Sequence, residues 1–334
     1  MRWIPNATAA GLMLVLAAVM PARAEVSDVK IAAQNGTNYL PLYVMQGNKL
    51  VEKHLAAKGL KDTTVTWARL GGATAIVDSI LSGAIHFSAN GVPSTALLVD
   101  RTKSGMRVKA VSALVAANIW FMTKRPGLKS LKDLTDKDRI ALPSIKSSAQ
   151  ALMLWMAAEQ QFGAGQWGKF DHIAVTMAHP EALAAVTKGV GDITVHAATS
   201  PYAEIERKAG LWPILDLFSV TNGPSTGLNF CSSEQFREAN PKTYEAVVAA
   251  FNEAIEWVNA DKKRAAEFYH ESARDKLPIE DLTQIISDPG YIFSQTPRGI
   301  GAVLDMMHKG GVLKTKMASW KELYFAEAQK LDGN

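Results

Sequence analysis

The sequence has almost no cysteine. Cys231 is the only one in 334 residues, so no intramolecular disulfide can form and no paired Cys/His spacing marks a structural metal site. After the first two dozen residues, no apolar run approaches the roughly 20 residues of a membrane helix. Charge of one sign is also scarce. With 36 Lys and Arg against 32 Asp and Glu, the formal net charge is +4, and no basic run with interleaved aromatics marks a nucleic-acid surface. The seven histidines form no H-E-x-x-H pair, and no Walker or G-x-G-x-x-G loop is present, so neither a metal nor a cofactor is expected.

The first segment is distinctive. Arg2 gives a short positive start, Ala7 to Met20 is apolar, and Ala22-Arg23-Ala24 reads as an A-x-A cleavage site before Glu25. The expectation is a signal peptide over 1–24 and an exported protein without a lipid anchor, since no cysteine stands at the cleavage site. Loss of Arg2 and Arg23 lowers the formal charge from +4 to +2. Residues 25–334 are enough for about two domains.

From Val29 on, strand and helix patterns alternate. Val29–Gln34, Thr63–Arg69, Ile85–Ala89 and Arg107–Leu114 read as strands, with helices over Leu40–Ala56, Ala73–Leu81 and Val92–Arg101. The order then recurs: strands at Arg139–Leu142, His172–Thr176 and Asp192–His196, helices at Ser147–Gln161, Pro180–Lys188 and Pro201–Ala209. Such alternation predicts βαβ units in a mainly parallel sheet. The two series can be laid side by side: Ile31-Ala32-Ala33 against Ile140-Ala141-Leu142, and Ser82 to Asn90 against Lys188 to His196, which pairs Phe87 with Ile193. Two lobes of like topology follow. Ile214–Val220 and Thr226–Cys231 read as extended, and the chain from Ser233 is almost all helical. Crossings between lobes are expected near Ala116–Phe121 and Asn222–Ser225. Lobe 1 then comprises 25–117 plus 224–334, and lobe 2 comprises 118–223.

In parallel α/β sheets, ligands bind outside the carboxyl ends of strands, where loops run into helix N-termini. Here those loops are small and polar: Gln34 to Tyr39, Gly71 to Thr74, Asn90 to Ser94, Pro143 to Ala149, and His196 to Ser200. A helix N-terminus has unsatisfied N–H groups and a partial positive charge, so it receives anions. Ser147 and Ser148 add hydroxyls at one such terminus, and Lys146 adds a charge. Thr37, Ala73 and Val92 stand in the same loops. Tyr39, Trp120 and Tyr202 are the aromatics nearest them, placed to cover a planar or alkyl group, and Ser225 stands at the return crossing. His196 ends a strand where a pocket belongs and reads as a hydrogen-bonding group. His172 and His179 read as solvent-side residues.

Gly223-Pro224-Ser225-Thr226-Gly227 matches G-x-S-x-G, but the nucleophile elbow runs from strand through turn to helix. Here the following Leu228-Asn229-Phe230-Cys231 looks extended. The reading is therefore not an enzyme.

Four stretches carry a family resemblance. These are Gly71-Gly72-Ala73 with the helix ending Leu81 to Phe87; Leu131 to Leu134 with Arg139 to Leu142 and Lys146 to Ala149; Ala182 to Ser200; and Phe236 to Pro241 opening a long helix. Their order and spacing, from about Val29 to Tyr324, resemble the periplasmic binding proteins of ABC importers for nitrate, taurine, aliphatic sulfonates and thiamine-precursor pyrimidines. The resemblance implies a type II, Venus-flytrap α/β fold with two crossovers and a helical C-terminal tail. It also implies a monomer that closes on a small solute and meets a permease with its ATPase. By position, it places ligand contacts at Asn35, Gly72, Asn90, Ser147, Ser148 and the His196 loop. The solute stays open among carboxylates, sulfonates, nitrate and pyrimidine-like heterocycles. An enzyme on the same scaffold, of the pyrimidine-synthase kind, and a sensor module for a membrane receptor are the alternatives.

Overall fold

A computed structural model describes residues 25–334; the leader expected over 1–24 lies outside them. The first passage of the chain is β1 (Asp28–Ala33), a 3-10 turn (Thr37–Tyr39), α1 (Leu40–Gly47), α2 (Leu50–Ala57), β2 (Thr64–Arg69), α3 (Ala73–Leu81), β3 (Phe87–Gly91), α4 (Val92–Thr102) and β4 (Val108–Ala116). The second is β5 (Trp120–Thr123), β6 (Ile140–Leu142), α5 (Ala149–Phe162), β7 (Ala174–Thr176), α6 (His179–Lys188), β8 (Val195–Ala198), α7 (Tyr202–Lys208), β9 (Trp212–Asp216) and α8 (Leu217–Thr221). The chain returns through β10 (Thr226–Ser233) into α9 (Glu234–Ala239), α10 (Pro241–Ala260), α11 (Lys262–Ala273), α12 (Ile279–Ser287), β11 (Ile292–Phe293) and α13 (Ile300–Lys309). No helix among the described residues is long and apolar enough to cross a membrane.

Two sheets result, ordered β2-β1-β3-β10-β4-β11 and β7-β6-β8-β5-β9. Leaving aside the short β11, the orders are the same. In each, a parallel trio (β2-β1-β3, β7-β6-β8) is followed by an antiparallel strand, β10 or β5. The expected mainly parallel sheet is therefore corrected to a mixed one. Each antiparallel strand arrives from the other lobe, so it enters its sheet against the direction of the βαβ units.

The side-by-side alignment of the two halves needs a small correction. Ile31 lies beside Phe87 in one sheet, and Ile140 lies beside Val195 in the other, two residues beyond the Phe87–Ile193 pairing. Gly189 and Gly191, both at positive φ (69° and 71°), lengthen the second turn. A two-residue slip keeps every side chain on its face. His196 accordingly sits inside β8 rather than at its end.

Two further expectations change. Leu40–Ala56 is two helices, broken where Lys49 turns left-handed (φ 49°) and where Gly47 lets the Phe268 ring approach. Ile214–Val220 is not all extended: Asp216 accepts from Ser219 N at 3.1 Å and starts α8, a capping signal in the sequence D-x-x-S.

The first lobe packs Phe87, Phe230 and Phe251 in a stack with centroids 5.5 and 4.5 Å apart. A second cluster is continuous across both lobes. It runs from Ile76 and Leu98 through Leu304 and Met307 of α13 to Leu152 and Trp155 of α5. The tail helix thus rests on α4 of one lobe and α5 of the other.

Gly310, which follows α13, has ordinary helical φ (−78°), yet a Cβ there would overlap the buried Trp155 ring. Because only space is at stake, Gly310→Ala is expected to destabilise the protein by about 1–3 kcal/mol, read as a lowered thermal midpoint. An unchanged midpoint would contradict this packing.

Candidate functional site

Five helix starts meet on one cavity of about 50 Å³ between the sheets. Tyr39 precedes α1, Ala73 opens α3, Gly91 precedes α4, Ser148 and Ala149 begin α5, and His179 opens α6. The volume holds about four water-sized groups. Gln34, Asn38, Ser94, Gln150 and Thr199 complete the polar wall, while Ala117, Ile119, Gly227 and Leu228 of the two crossings form its floor. Among the described residues no Asp, Glu, Lys or Arg lines it. The first residues of each helix have N–H groups with no intrahelical acceptor, and their dipoles point positive ends inward.

The lobes touch around this cavity through small residues. Ser94 donates to the Ser147 carbonyl at 2.6 Å, and Thr74 donates to Ser144 Oγ at 3.1 Å. Gly72 comes so close to the Pro143 carbonyl that a Cβ would stand 2.9 Å from it. Ser147 Oγ bonds Ser144 Oγ at 2.7 Å. Ser148 caps α5, accepting from Ala151 N at 3.2 Å and donating to the Ser144 carbonyl at 2.6 Å.

Of the residues singled out from sequence, Tyr39, Ala73 and Ser148 line the cavity, and Gly72 and Ser147 form the contact that closes it. The others lie elsewhere. Asn35 is exposed and accepts from the Tyr43 hydroxyl at 3.3 Å. Thr37 is buried and accepts from Tyr291 at 2.8 Å. Asn90 is buried beneath the site, donating to Ser88 at 2.5 Å with its own oxygen unpartnered. Val92 belongs to the apolar core. Lys146 is exposed, its charge felt by Asp171 rather than by the cavity. Trp120 lines a separate groove of about 520 Å³, with the Arg207 guanidinium 4.5 Å over its ring. Ser225 is buried against Gly299. It leads into a strand, β10, so the G-x-S-x-G match lacks the helix an elbow requires.

His179 corrects a sequence expectation: it is 7% exposed and lines the cavity, not solvent-side. Its signal lay in the two-fold topology, because His179 opens α6 where Ala73 opens the equivalent α3. Asn38 and Thr199 lie within two of the loops singled out without being named, and Gln150 directly follows a third.

Behind His179 runs a buried chain. His179 Nδ1 is 2.8 Å from His196 Nε2, and His196 Nδ1 is 2.5 Å from Glu206 Oε1, with His196 and Glu206 fully buried. The Tyr202 ring stacks on His179 at 5.2 Å. Burial pushes the Glu206 carboxyl up to about 9 and the His196 imidazole down to about 3. Burial and the neighbouring His196 hold His179 well below the usual histidine range. Among the described residues no three His, Cys, Asp or Glu side chains are placed to hold a metal ion.

A profile of the NMT1-like family matches residues 22–270 of the 334. The chain belongs to the NMT1-like family. Among curated proteins, no relative matches this NMT1-like chain by sequence. Solved structures share its fold. The aliphatic sulphonate binding protein SsuA of Escherichia coli superposes with a TM-score of 0.63 at 16% identity, covering 90% of this chain and 100% of its own. The alkanesulfonate-binding SsuA of Xanthomonas axonopodis pv. citri, bound to MOPS, gives 0.69 at 15%, covering 90% and 99%. The nitrate-binding NrtA of Synechocystis PCC 6803 gives 0.66 at 14%, covering 92% and 86%. The fold is the two-lobe periplasmic-binding-protein fold that the resemblance implied.

Two outcomes are expected. Gly72 has extended backbone (φ −171°) open to any residue, so Gly72→Ala obstructs only closure. Solute affinity is expected to fall about 5- to 150-fold, the equivalent of about 1–3 kcal/mol of overpacking. The solute-free thermal midpoint stays near wild type; unaltered affinity by calorimetry would contradict the contact.

The second outcome concerns pH. Glu206 keeps its proton in the fold up to about pH 9 but loses it near 4.5 when unfolded, so between those values its contribution falls as pH rises. His179 and His196, neutral in the fold and protonated below about 6.5 when unfolded, contribute stability that grows up to that pH. Two rising contributions oppose one falling one below pH 6.5; from there to about pH 8 the fall from Glu206 dominates, at about 1.4 kcal/mol per pH unit, and above that the Lys262 amine, lowered by burial to about 8, adds an opposing rise. Thermal midpoints across pH 4–9 are expected to peak near 6.5, with a flatter alkaline limb in Glu206→Gln. An equally steep limb in that variant would be inconsistent with a buried, protonated Glu206.

Proposed function

We propose that this protein is an exported solute-binding protein that closes on a small anionic organic solute and delivers it to the permease of an ABC importer. The observation that carries the reading is the convergence of five helix starts on a cavity without any charged side chain. A helix N-terminus is worth about 0.3–1 kcal/mol to an anion at an exposed site, and up to about 2 in a partly buried one. Five of them plus neutral donors approach the roughly 8 kcal/mol of a micromolar site. Arg69 adds positive potential nearby. It ends β2, lies 4.1 Å over the Tyr43 ring, and has one buried guanidinium nitrogen without a partner. No carboxylate pairs with it among the described residues.

Binding without catalysis fits a site whose hydroxyls are spent on caps and lobe contacts, as Ser94, Ser147 and Ser148 are. Delivery to a transporter and the monomeric state come from the family resemblance, and export from the leader expected before Glu25. Glu25 itself is docked, its carboxylate accepting from Lys242 N and Thr243 N at 2.9 and 3.0 Å at the start of α10. The two lobes are taken as 25–117 with 224–334, and 118–223.

A thermal-shift screen of small carboxylates, sulfonates, nitrate and neutral pyrimidines tests the reading. At a hundredfold excess over the dissociation constant, a true ligand stabilises by about 2.7 kcal/mol. Small organic anions are expected to raise the midpoint and to compact the protein in small-angle scattering. A response to neutral pyrimidines alone would overturn the anionic assignment.

A further inference from the structure

We propose that Glu206, acting through His196, holds His179 as a neutral donor whose Nε2–H faces the cavity, so that the solute presents an unprotonated oxygen there. The inference rests on the cavity being the solute site, and it goes further in naming the group that one wall selects.

The argument is one of hydrogen-bond polarity. A neutral imidazole has one donor and one acceptor nitrogen, so fixing one end of a chain of imidazoles fixes the other. Three states of the chain can be drawn. In the first, Glu206 carries the proton and donates to His196 Nδ1; His196 Nε2–H then donates to His179 Nδ1, leaving the hydrogen of His179 on Nε2. In the second, the proton has moved to His196, giving a carboxylate–imidazolium pair, and His196 Nε2–H still donates to His179. In the third, Glu206 is ionised beside a neutral His196, the polarity reverses, and His179 turns a bare Nε2 to the cavity.

The third state puts an uncompensated charge on a fully buried carboxylate. Its second oxygen, Oε2, is buried with no partner, and an ionised carboxylate so placed is costly. Among the described residues no Lys or Arg lies within ion-pair distance of Glu206; the Arg207 charge acts on it only from farther off, and His196 is its ion-pair partner. The two states that remain agree on His179.

The surroundings of His179 are compatible. Gln150 Nε2 and Thr199 Oγ1 lie 3.4 and 3.5 Å from His179 Nε2, at the outer limit of a hydrogen bond. They leave that N–H free for a closer acceptor. The Gln150 amide can turn its oxygen to it, since the two ends of an amide are alike in shape. Tyr202, stacked on the ring, holds its plane. A carboxylate, sulfonate or carbonyl oxygen fits this wall; an ammonium or amide N–H meets a donor head-on and is rejected. Glu206 and His196 touch no solute: they are positioning residues, and His179 is the contact.

The tautomer can be read without a ligand. In histidine-¹⁵N-labelled full-length mature protein at pH 7, two-bond ¹H–¹⁵N spectra are assigned by loss of signals in His179→Gln and His196→Gln. The expected result is a single His179 tautomer, with the hydrogen on Nε2 and a bare Nδ1, and loss of that single signature in Glu206→Leu. A hydrogen on Nδ1, an imidazolium signature for His179, or a tautomer unchanged by Glu206→Leu would overturn the proposal. Because the spectrum is taken on solute-free protein, its failure leaves the solute-binding reading standing, and failure of the solute screen leaves the tautomer to be judged by itself.

Discussion

Closing two lobes over converging helix N-termini is the constraint on which this structure depends. Each terminus carries N–H groups that the helix cannot satisfy and a dipole end that water would otherwise solvate. Burying five such ends together is unfavourable unless something with lone pairs, and preferably negative charge, takes the place of water. The cavity walls follow from that demand. Side chains are small or neutral where backbone must approach, as at Ala73, Gly91 and Ala149 and at the Gly72 contact beside them, and polar where a donor adds direction, as at Asn38 and His179.

The contacts that hold the lobes together are correspondingly light. Ser94 to Ser147 and Thr74 to Ser144 are single hydrogen bonds, each worth about 0.5–1.5 kcal/mol. Lys309 reaches Glu159 at 2.8 Å and Lys208 pairs with Asp281, both partly exposed and each worth about 0–1 kcal/mol. A balance of a few kcal/mol is one that a solute can tip through its preference for the closed form. The heavier component is α13, which shares a core with both lobes. It gives them a common apolar seat beside the cavity while the two crossings form the floor.

Much of this was legible in the sequence, because it rests on periodicity and punctuation. The strand and helix alternation, the two crossings and the likeness of the halves follow from where glycine, proline and apolar runs fall. Strand direction was not legible: nothing local in Thr226–Ser233 or Trp120–Thr123 tells that these strands lie antiparallel, since that depends on the side from which the chain arrives. The loops singled out do meet at one cavity, but side-chain direction was not legible. Lys146 and Trp120 stand in or near those loops and point to solvent and to another groove, while Ser147 spends its hydroxyl inside its own turn. His179 shows the opposite case. Placing it at a helix start equivalent to Ala73 needed only the internal two-fold, whereas the chain through His196 to Glu206 joins residues that sequence spacing leaves unconnected.

The most direct test of the account is a crystal structure of the protein with its tightest-binding small anion. The account predicts density for the anion in the cavity, with its oxygens in hydrogen-bonding range of the Ala149 N–H and of His179 Nε2. An anion seated instead in the Trp120–Arg207 groove, or on the outer face of either lobe with the cavity holding only water, would contradict it.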